Sequence, residues 1–317
     1  MTTTLPSPDV KRASRAQRKP RAARAERPPR APRPARPPSP ADDTAIAFST
    51  SLTMLSIVCL WVAAQLLVLG NLSHDRSQAL LYDELRTQLA GATAPIGPVV
   101  PVGDPVALMT IDRIGLDEVV VEGTASGDTL AGPGHLRNTV LPGQVGTAVV
   151  MGRATTYGGP FGELGELVQG DVITVVSAQG TTEFTVLGVR RPGDPQPQPL
   201  AEGAARLTLV TAEGGGRFAS LTPDSVLYVD ADAAEGFPAP GGRPAAVPDS
   251  EKPLATDHGA LPLLALDLTL LLALTLGVVA ARQRWSTPLV WVVASPVAIA
   301  LSWATTDVVM RLLPNVI

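Results

Sequence analysis

Cysteine is nearly absent from this sequence: the 317 residues contain one, Cys59. It lies in an apolar run and is interpreted as a small apolar filler, so no disulfide can form within the chain and the aqueous part has no thiol nucleophile. The G-x-G-x-x-G and Walker A patterns are missing, as are paired cysteines or histidines at metal-ligand spacing. Gly214 to Gly216 precede no predicted helix, which argues against a phosphate cradle. We therefore expect no metal and no cofactor.

Aromatic residues are also scarce, at 4%, whereas the sequence has 31 prolines and 29 glycines. This composition predicts long linkers around a modest folded domain. Residues 1–40 carry 11 lysines and arginines against two acidic residues, although the whole chain has a net charge of -4. Residues 1–44 are therefore predicted to be a disordered basic arm. Nucleic-acid binding is the alternative, but a membrane segment follows directly, so we favour contact with anionic lipid headgroups and expect no nucleic-acid partner.

Three long apolar segments predict transmembrane helices. The first, Ile46 to Leu69, has no charged residue over 24 positions, enough to cross about 30 Å of hydrocarbon. A cleaved signal peptide is the alternative, but the run is long and no small-x-small cleavage site follows it. Arginines before the first span and between the last two place the N-terminus in the cytoplasm and the intervening domain outside the plasma membrane.

The predicted division of the chain follows from these segments: basic arm 1–44, transmembrane helix 45–70, stalk and linker 71–104, β-rich domain 105–234, linker 235–259, transmembrane helices 260–281 and 288–309 joined by loop 282–287, and tail 310–317. The stalk contains an amphipathic helix from His74 to Leu89. Asp267 and Asp307 fall within the last two spans. Intramembrane carboxylates are functional candidates by default, but both are shallow enough to reach water, so we favour an ordinary interfacial role.

The domain at 105–234 predicts an all-β fold. Seven short β-rich runs, VALMTI, DEVVVEG, GTAVVMG, DVITVVSA, TEFTVLGV, RLTLVTA and SVLYVDAD, are separated by glycine, proline and aspartate. Little helical periodicity appears except near Glu163 to Val168. Strand propensity alone leaves a barrel and a sandwich open.

Five stretches of this domain follow one another in a characteristic order: IDRIGLDEVVVEGT (111–124), GPGHLRNTVLPGQVGTAVV (132–150), MGRATTYGGPF (151–161), RLTLVTA (206–212) and the strand VLYVDAD. In sequence and order these stretches resemble the sortases, which are cysteine transpeptidases that attach surface proteins to the bacterial cell envelope. The resemblance covers roughly 125 residues and is closest to class E sortases. It implies a sortase-like β-barrel outside the cytoplasm, with one N-terminal and two C-terminal transmembrane helices.

The sequence departs from the family at the positions that the resemblance assigns to the catalytic residues. Sortases of this kind carry Gly-His before Thr-Thr-Tyr-Gly, and here Arg153 stands at the histidine position. The family motif Thr-Leu-Val-Thr-Cys ends here in Ala212. The catalytic arginine of the family would fall near Ser225, and Arg217 is the nearest candidate. The resemblance thus predicts a pseudoenzyme with no intact catalytic residue.

Other groups could in principle replace the missing pair. Thr155, Thr211 and Ser220 are candidate hydroxyl nucleophiles, but each needs a base, and the only histidine of the domain, His135, lies in a stretch that sortases share without using it for catalysis. The carboxylates Glu163, Glu166 and Glu213 are interpreted as surface charge. As groove residues we predict Arg153, Thr155, Tyr157, Thr211, Ala212 and Arg217.

Three functions remain open on the sequence. The first is a catalytically inactive sortase-like protein whose groove, with Arg153 as a fixed cation, binds a peptide or protein partner, such as an active sortase or its substrate. The second is an active transpeptidase or hydrolase that uses unidentified residues. The third is a structural membrane protein with an inert barrel.

Overall fold

The computed structural model describes residues 52, 56, 59–61, 63–97, 99–213, 223, 225–281 and 284–317. The predicted basic arm and half of the first predicted transmembrane helix lie outside the described residues, as do Arg217 and Ser220. A π-helical turn, Gln65–Leu69, leads directly into helix α1, Gly70–Ala90. Helices α2, Leu261–Ala281, and α3, Thr287–Arg311, complete the helical part.

The middle of the chain forms a closed barrel in the order β1-β2-β3-β4-β7-β8-β6-β5, which confirms the predicted all-β barrel. The eight strands are β1 Pro105–Ile111, β2 Leu116–Glu122, β3 Gly134–His135, β4 Gly146–Met151, β5 Val172–Ser177, β6 Gly180–Arg190, β7 Ala205–Glu213 and β8 Ser225–Ala233. The seven predicted runs all form strands. The eighth, β3, is only two residues long and gives no alternation that a sequence pattern could reveal.

The barrel interior is a single apolar core. Alternate residues of the strands, for example Ile173 on β5 and Phe184 on β6, turn inward and are fully buried. Most strand pairs are antiparallel, but β4 and β7 pair in parallel over the full length of β4. Parallel neighbours end at the same edge of the sheet, so the residues that follow β4 and those at the end of β7 meet there.

Helices α2 and α3 are each long and apolar enough to cross a membrane, judged by length and composition. Their 21 and 25 residues span about 32 and 38 Å at the usual helical rise. Most of their large apolar side chains are exposed in the isolated chain, for example Leu272 and Val292. A lipid environment is the setting in which such surfaces are stable.

The segment predicted as a free stalk is a docked helix. Helix α1 lies against β1 and β2, with Leu85 buried, and Gln78 bridges to the barrel. The Gln78 side chain accepts a hydrogen bond from the Val119 amide (2.7 Å) and donates to the carbonyls of Ala131 (2.8 Å) and Val119 (3.2 Å). The weak amphipathic pattern could not reveal this docking because polar contacts carry much of it.

A second polar contact holds the same helix. His74 is buried and lies 2.9 Å from the Glu118 carboxylate on β2. Burial acts to lower the pKa of His74, but the hydrogen bond and the charge of Glu118 outweigh it, and the pKa lies above its usual range. His74 is thus engaged in holding α1 against the barrel.

Replacing Gln78 with alanine should loosen α1. The Val119 amide would lose its partner on the helix, which costs about 1–3 kcal/mol for a buried donor. We expect the melting temperature of the full-length protein in detergent to fall by several degrees. Gln88→Ala is the matched control, because the Gln88 side chain bonds only to Glu84 of its own helix and should leave the melting temperature nearly unchanged. Equal shifts for the two variants would contradict this account of the docking.

Candidate functional site

The two positions that the sequence singles out, 153 and 212, lie beside each other at the ends of β4 and β7. Met151 pairs with Val210 in the parallel ladder, and the Gly152 amide donates to the Val210 carbonyl at 3.0 Å. The Thr211 hydroxyl donates to the Gly152 carbonyl at 3.0 Å and ties the two strand ends together. The structure thus brings Arg153 and Ala212 to one edge of the barrel.

The Arg153 guanidinium is wholly buried and serves as a fixed hydrogen-bond donor. One terminal nitrogen donates to the carbonyl and hydroxyl of Ser126 (2.8 and 2.9 Å). The other donates to the Thr156 hydroxyl (2.9 Å) and the main-chain oxygen of Ile317 (3.4 Å). Burial lowers the pKa of Arg153 to about 10, against the opposite effect of Tyr157 and Asp307. The group therefore keeps its proton at neutral pH and cannot serve there as a general base.

Tyr157 connects this site to helix α3. Its ring lies 5.8 Å from the Arg153 guanidinium carbon and packs with Leu130 and Met310, and its hydroxyl is 3.4 Å from a carboxylate oxygen of Asp307. The residue has a φ of 50°, an uncommon backbone conformation for a bulky side chain. Asp307, predicted as interfacial, is therefore a neighbour of the site.

The edge between β4 and β7 is occupied by residues 314–317 of the same chain, which were predicted to be part of a simple tail. The Val316 carbonyl accepts hydrogen bonds from two main-chain amides, those of Ala154 (3.1 Å) and Ala212 (3.3 Å). The Thr156 hydroxyl donates to the Ile317 oxygen at 2.5 Å. The side chains of Val316 and Ile317 are buried in an apolar cluster with Met151, Val210, Ala212 and Val226.

Further contacts hold the start of this segment. The Asn315 side-chain nitrogen donates to the carbonyls of Thr124 (2.6 Å) and Lys252 (3.0 Å), and the main-chain carbonyl of Asn315 accepts from the Thr129 hydroxyl (2.7 Å). The Ser126 hydroxyl donates to the Leu313 carbonyl at 2.7 Å. The loop 124–129 and the linker before α2 thus enclose the segment from two sides.

A cavity of about 320 Å³ continues from the same edge along the outer face of β4, β7 and β8. Its lining residues include Met151 and Val210, which also contact the segment 314–317. The charged groups at the cavity are paired with each other: Arg190 with Asp230, and Arg206 with Asp232. The remaining lining residues are Leu136, Thr147, Val149, Gln196, Pro197, Thr208, Tyr228 and Pro253.

The other predicted site residues are distributed as follows. Thr155 is half-buried next to Thr156, and it is Thr156 that contacts both Arg153 and Ile317. Ser225 opens β8 opposite Glu213, whose carboxylate pairs with Arg191. His135 is buried on β3, bonded to Glu122 and to the Val140 carbonyl. Among the described residues, no three His, Cys, Asp or Glu side chains are grouped as a metal ion would require.

Sequence reasoning missed Ser126, Thr156 and the segment 314–317. Thr156 stands inside the TTYG motif, so the motif itself was the available signal. Ser126 and Asn315 carry no local signal, because their contacts join residues distant in sequence, such as Ser126 with Leu313 and Asn315 with Thr124.

Asp128 stands in the loop that covers Arg153. One of its carboxylate oxygens accepts from the Ala125 amide at 3.1 Å and shapes the turn that presents Ser126. Burial, aided by the charge of Glu251, raises the pKa of Asp128 to about 6, and the Ala125 amide acts in the opposite direction. Because an acid whose folded pKa is raised binds its proton more tightly in the folded state, this group favours folding below about pH 4, and the benefit is lost as the pH rises to about 6.

The Asp128→Asn variant should therefore lack the part of the pH dependence of folding stability that comes from Asp128. The stability of the wild type relative to this variant should decline between pH 4 and 6, by at most about 3 kcal/mol, since one pKa unit corresponds to about 1.4 kcal/mol. Thermal unfolding of both proteins across pH 4–7 measures the difference. Asp194→Asn is the control, because the Asp194 carboxylate also accepts a hydrogen bond from a main-chain amide but the residue is exposed. Parallel pH profiles for wild type and Asp128→Asn would contradict the prediction.

Comparison with known proteins identifies the family of the barrel. The family model of the sortase domain matches residues 109–217. No curated protein matches the chain. Among solved structures, the chain is similar to a sortase D5 transpeptidase of Clostridium perfringens, with 18% identity over 51% of this chain and 98% of that chain and a TM-score of 0.39. It is also similar to the SrtF sortase of Corynebacterium diphtheriae (22% identity, 49% and 95% covered, TM-score 0.37) and to sortase C-1 of Actinomyces oris (24%, 49% and 97%, TM-score 0.36).

Proposed function

Because the barrel of this chain belongs to the sortase family, we propose that the protein is a membrane-anchored sortase domain without catalytic activity, which binds a peptide or protein partner at the bacterial cell envelope. The observation that carries this proposal is the identity of the two residues at the ends of β4 and β7. Arg153 and Ala212 stand where the resemblance places the catalytic histidine and cysteine.

The chemistry of acyl transfer cannot begin from these groups. A sortase forms a thioester by attack of a thiol on a peptide carbonyl, and the methyl group of Ala212 has no lone pair to donate. Arg153 remains charged at neutral pH and is held by Ser126 and Thr156. Losing a nucleophile alone lowers turnover by on the order of 10⁶ in a well-studied hydrolase. Residual cleavage would therefore fall close to the uncatalysed rate.

Among the described residues, the hydroxyl groups of the site donate to main-chain oxygens and contact no histidine. Thr211 donates to the Gly152 carbonyl, and Thr156 donates to the Ile317 oxygen. The three histidines of the sequence are engaged elsewhere: His74 with Glu118, His135 with Glu122, and His258 near Thr256. This distribution supports the inactive form over a transpeptidase with substitute residues.

A peptide cleavage assay tests the loss of activity. The purified full-length protein, incubated with fluorogenic sorting-signal peptides, should release no more product than a protein-free blank, because no nucleophile is present at position 212. An active sortase assayed in the same detergent is the positive control. Cleavage by the wild type that disappears in Thr211→Ala or Thr156→Ala would revive the enzymatic alternative.

The membrane setting follows from charge and hydropathy. Helices α2 and α3 form an apolar pair, and Arg284 lies in the short connection between them. The excess of positive charge in the N-terminal arm and in this connection supports a cytoplasmic location for both and an extracytoplasmic location for the barrel. We therefore place the protein in the plasma membrane as part of this proposal.

The cavity beside residues 314–317 is the proposed contact surface for the partner. It is open to solvent, follows exposed or half-exposed residues of β4, and combines apolar side chains with paired charges. A surface of this kind suits an extended peptide, which places apolar side chains in the cavity while its main chain bonds to polar neighbours. An active sortase or one of its substrates would supply such a segment.

Site-specific photo-crosslinking in intact membranes tests the surface. A photoreactive residue at Thr147, which is exposed in the cavity, should capture the partner, whereas the same residue at Val172, exposed on β5 on another face of the barrel, should not. Capture from position 147 should fall severalfold when Val149→Trp fills the cavity, and Thr174→Trp on β5 serves as the size-matched control. Equal capture from the two faces, or none from position 147, would favour the inert structural barrel.

A further inference from the structure

The groove at the ends of β4 and β7 holds a peptide in this structure, and that peptide belongs to the chain itself. We propose that residues 314–317 are the resident ligand of the sortase groove, an intramolecular pseudosubstrate that must leave before another peptide can reach positions 153 and 212. The inference rests on the assignment of these positions made under the proposed function, and it adds what regulates access to them.

The main-chain contacts are those of a bound peptide carbonyl. The Val316 oxygen accepts from the amides of Ala154 and Ala212, one from each strand end. Two converging amides are the arrangement by which acyl-transfer enzymes hold the oxygen of a reacting carbonyl. Here the amide at position 212 belongs to the residue that replaces the nucleophile. The Val316 carbonyl is thus bonded to the main chain of Ala212, the residue at the position where the resemblance places the thiol.

The side chains fit the same interpretation. Val316 is fully buried and Ile317 nearly so, in contact with Met151, Val210 and Ala212. The methyl group of Ala212 keeps the apolar cluster around Val316 and Ile317 free of polar side-chain atoms. Arg153 and Thr156 both donate to the Ile317 oxygen and fix the end of the segment. The two substitutions that remove the catalytic groups therefore supply favourable contacts to residues 314–317.

The segment is also connected mechanically to the membrane. Residues 314–317 follow α3 after only two residues, Leu312 and Leu313, and Ser126 bonds to the Leu313 carbonyl. Occupation of the groove therefore joins the barrel to the end of a membrane helix. Departure of the segment would open the groove and release this connection in one step.

The reactivity of a single engineered thiol measures whether the groove is occupied. In a Cys59→Ser background, Ala212→Cys should react slowly with N-ethylmaleimide in the full-length protein. Deleting residues 315–317, or introducing Val316→Asp, should accelerate its labelling on the order of tenfold or more, because the covering segment no longer protects it. Thr147→Cys, in the open cavity, is the control and should react at the same rate with and without the segment.

A disulfide test remains informative if the deletion variant does not fold. The pair Ala212→Cys and Val316→Cys should oxidise readily within one chain, because the two residues share a hydrogen bond and an apolar cluster. The pair Ala212→Cys and Ala234→Cys, at opposite ends of the β7–β8 ladder, should not. Rapid labelling of the thiol at 212 in the intact chain, failure of the first pair to oxidise, or a disulfide formed between two chains would overturn the proposal. These measurements require neither peptide cleavage nor partner capture. They can therefore contradict the pseudosubstrate while the proposed function stands, and the proposed function can be contradicted while the pseudosubstrate stands.

Discussion

The parallel pairing of β4 and β7 is the constraint on which the site depends. Six consecutive pairs, from Gly146 with Ala205 to Met151 with Val210, fix the register of the two strands. Since parallel strands point the same way, the residues after Met151 and those after Val210 have to emerge together. Arg153 and Ala212 are neighbours for this reason, although 59 positions separate them in the sequence. A slip of one residue would reverse the faces of the side chains and separate them.

The same edge determines the surroundings of positions 153 and 212. In this chain the edge is buried: Arg153 is wholly inaccessible, Ala212 is nearly so, and Val316 and Ile317 pack between the strand ends. The buried guanidinium is balanced by main-chain oxygens and hydroxyl groups of Ser126, Thr156 and Ile317. Breaking such a buried polar network is costly, which gives these residues a structural role.

How much of this could be predicted from the sequence depends on the range of the contacts. The seven longer strands, the closed barrel and the two apolar C-terminal helices follow from local patterns and from the family motifs, and the structure confirms them. Positions 153 and 212 could be identified because each stands inside a recognisable motif. The two-residue strand β3, the docking of α1 through Gln78, and the contacts of Ser126 and Asn315 could not, because single polar side chains make them with residues distant in sequence.

The segment 314–317 illustrates that limit most clearly. Nothing in the letters Pro-Asn-Val-Ile distinguishes a free tail from a groove ligand, and only the meeting of α3 with the 124–129 loop brings it to the strand ends. Its placement links helix α3 to the edge formed by β4 and β7, which neither the barrel motifs nor the hydropathy pattern could show separately.

The most direct measurement of the central claim is amide hydrogen exchange at Ala154 and Ala212 in the full-length protein, resolved residue by residue. Both amides donate to the Val316 carbonyl, so the account predicts strong protection at the two positions, similar to that of the β4 and β7 ladder amides. Exchange at the two positions as fast as in an exposed loop, with the ladder amides still protected, would show an open and unoccupied edge and would contradict the account.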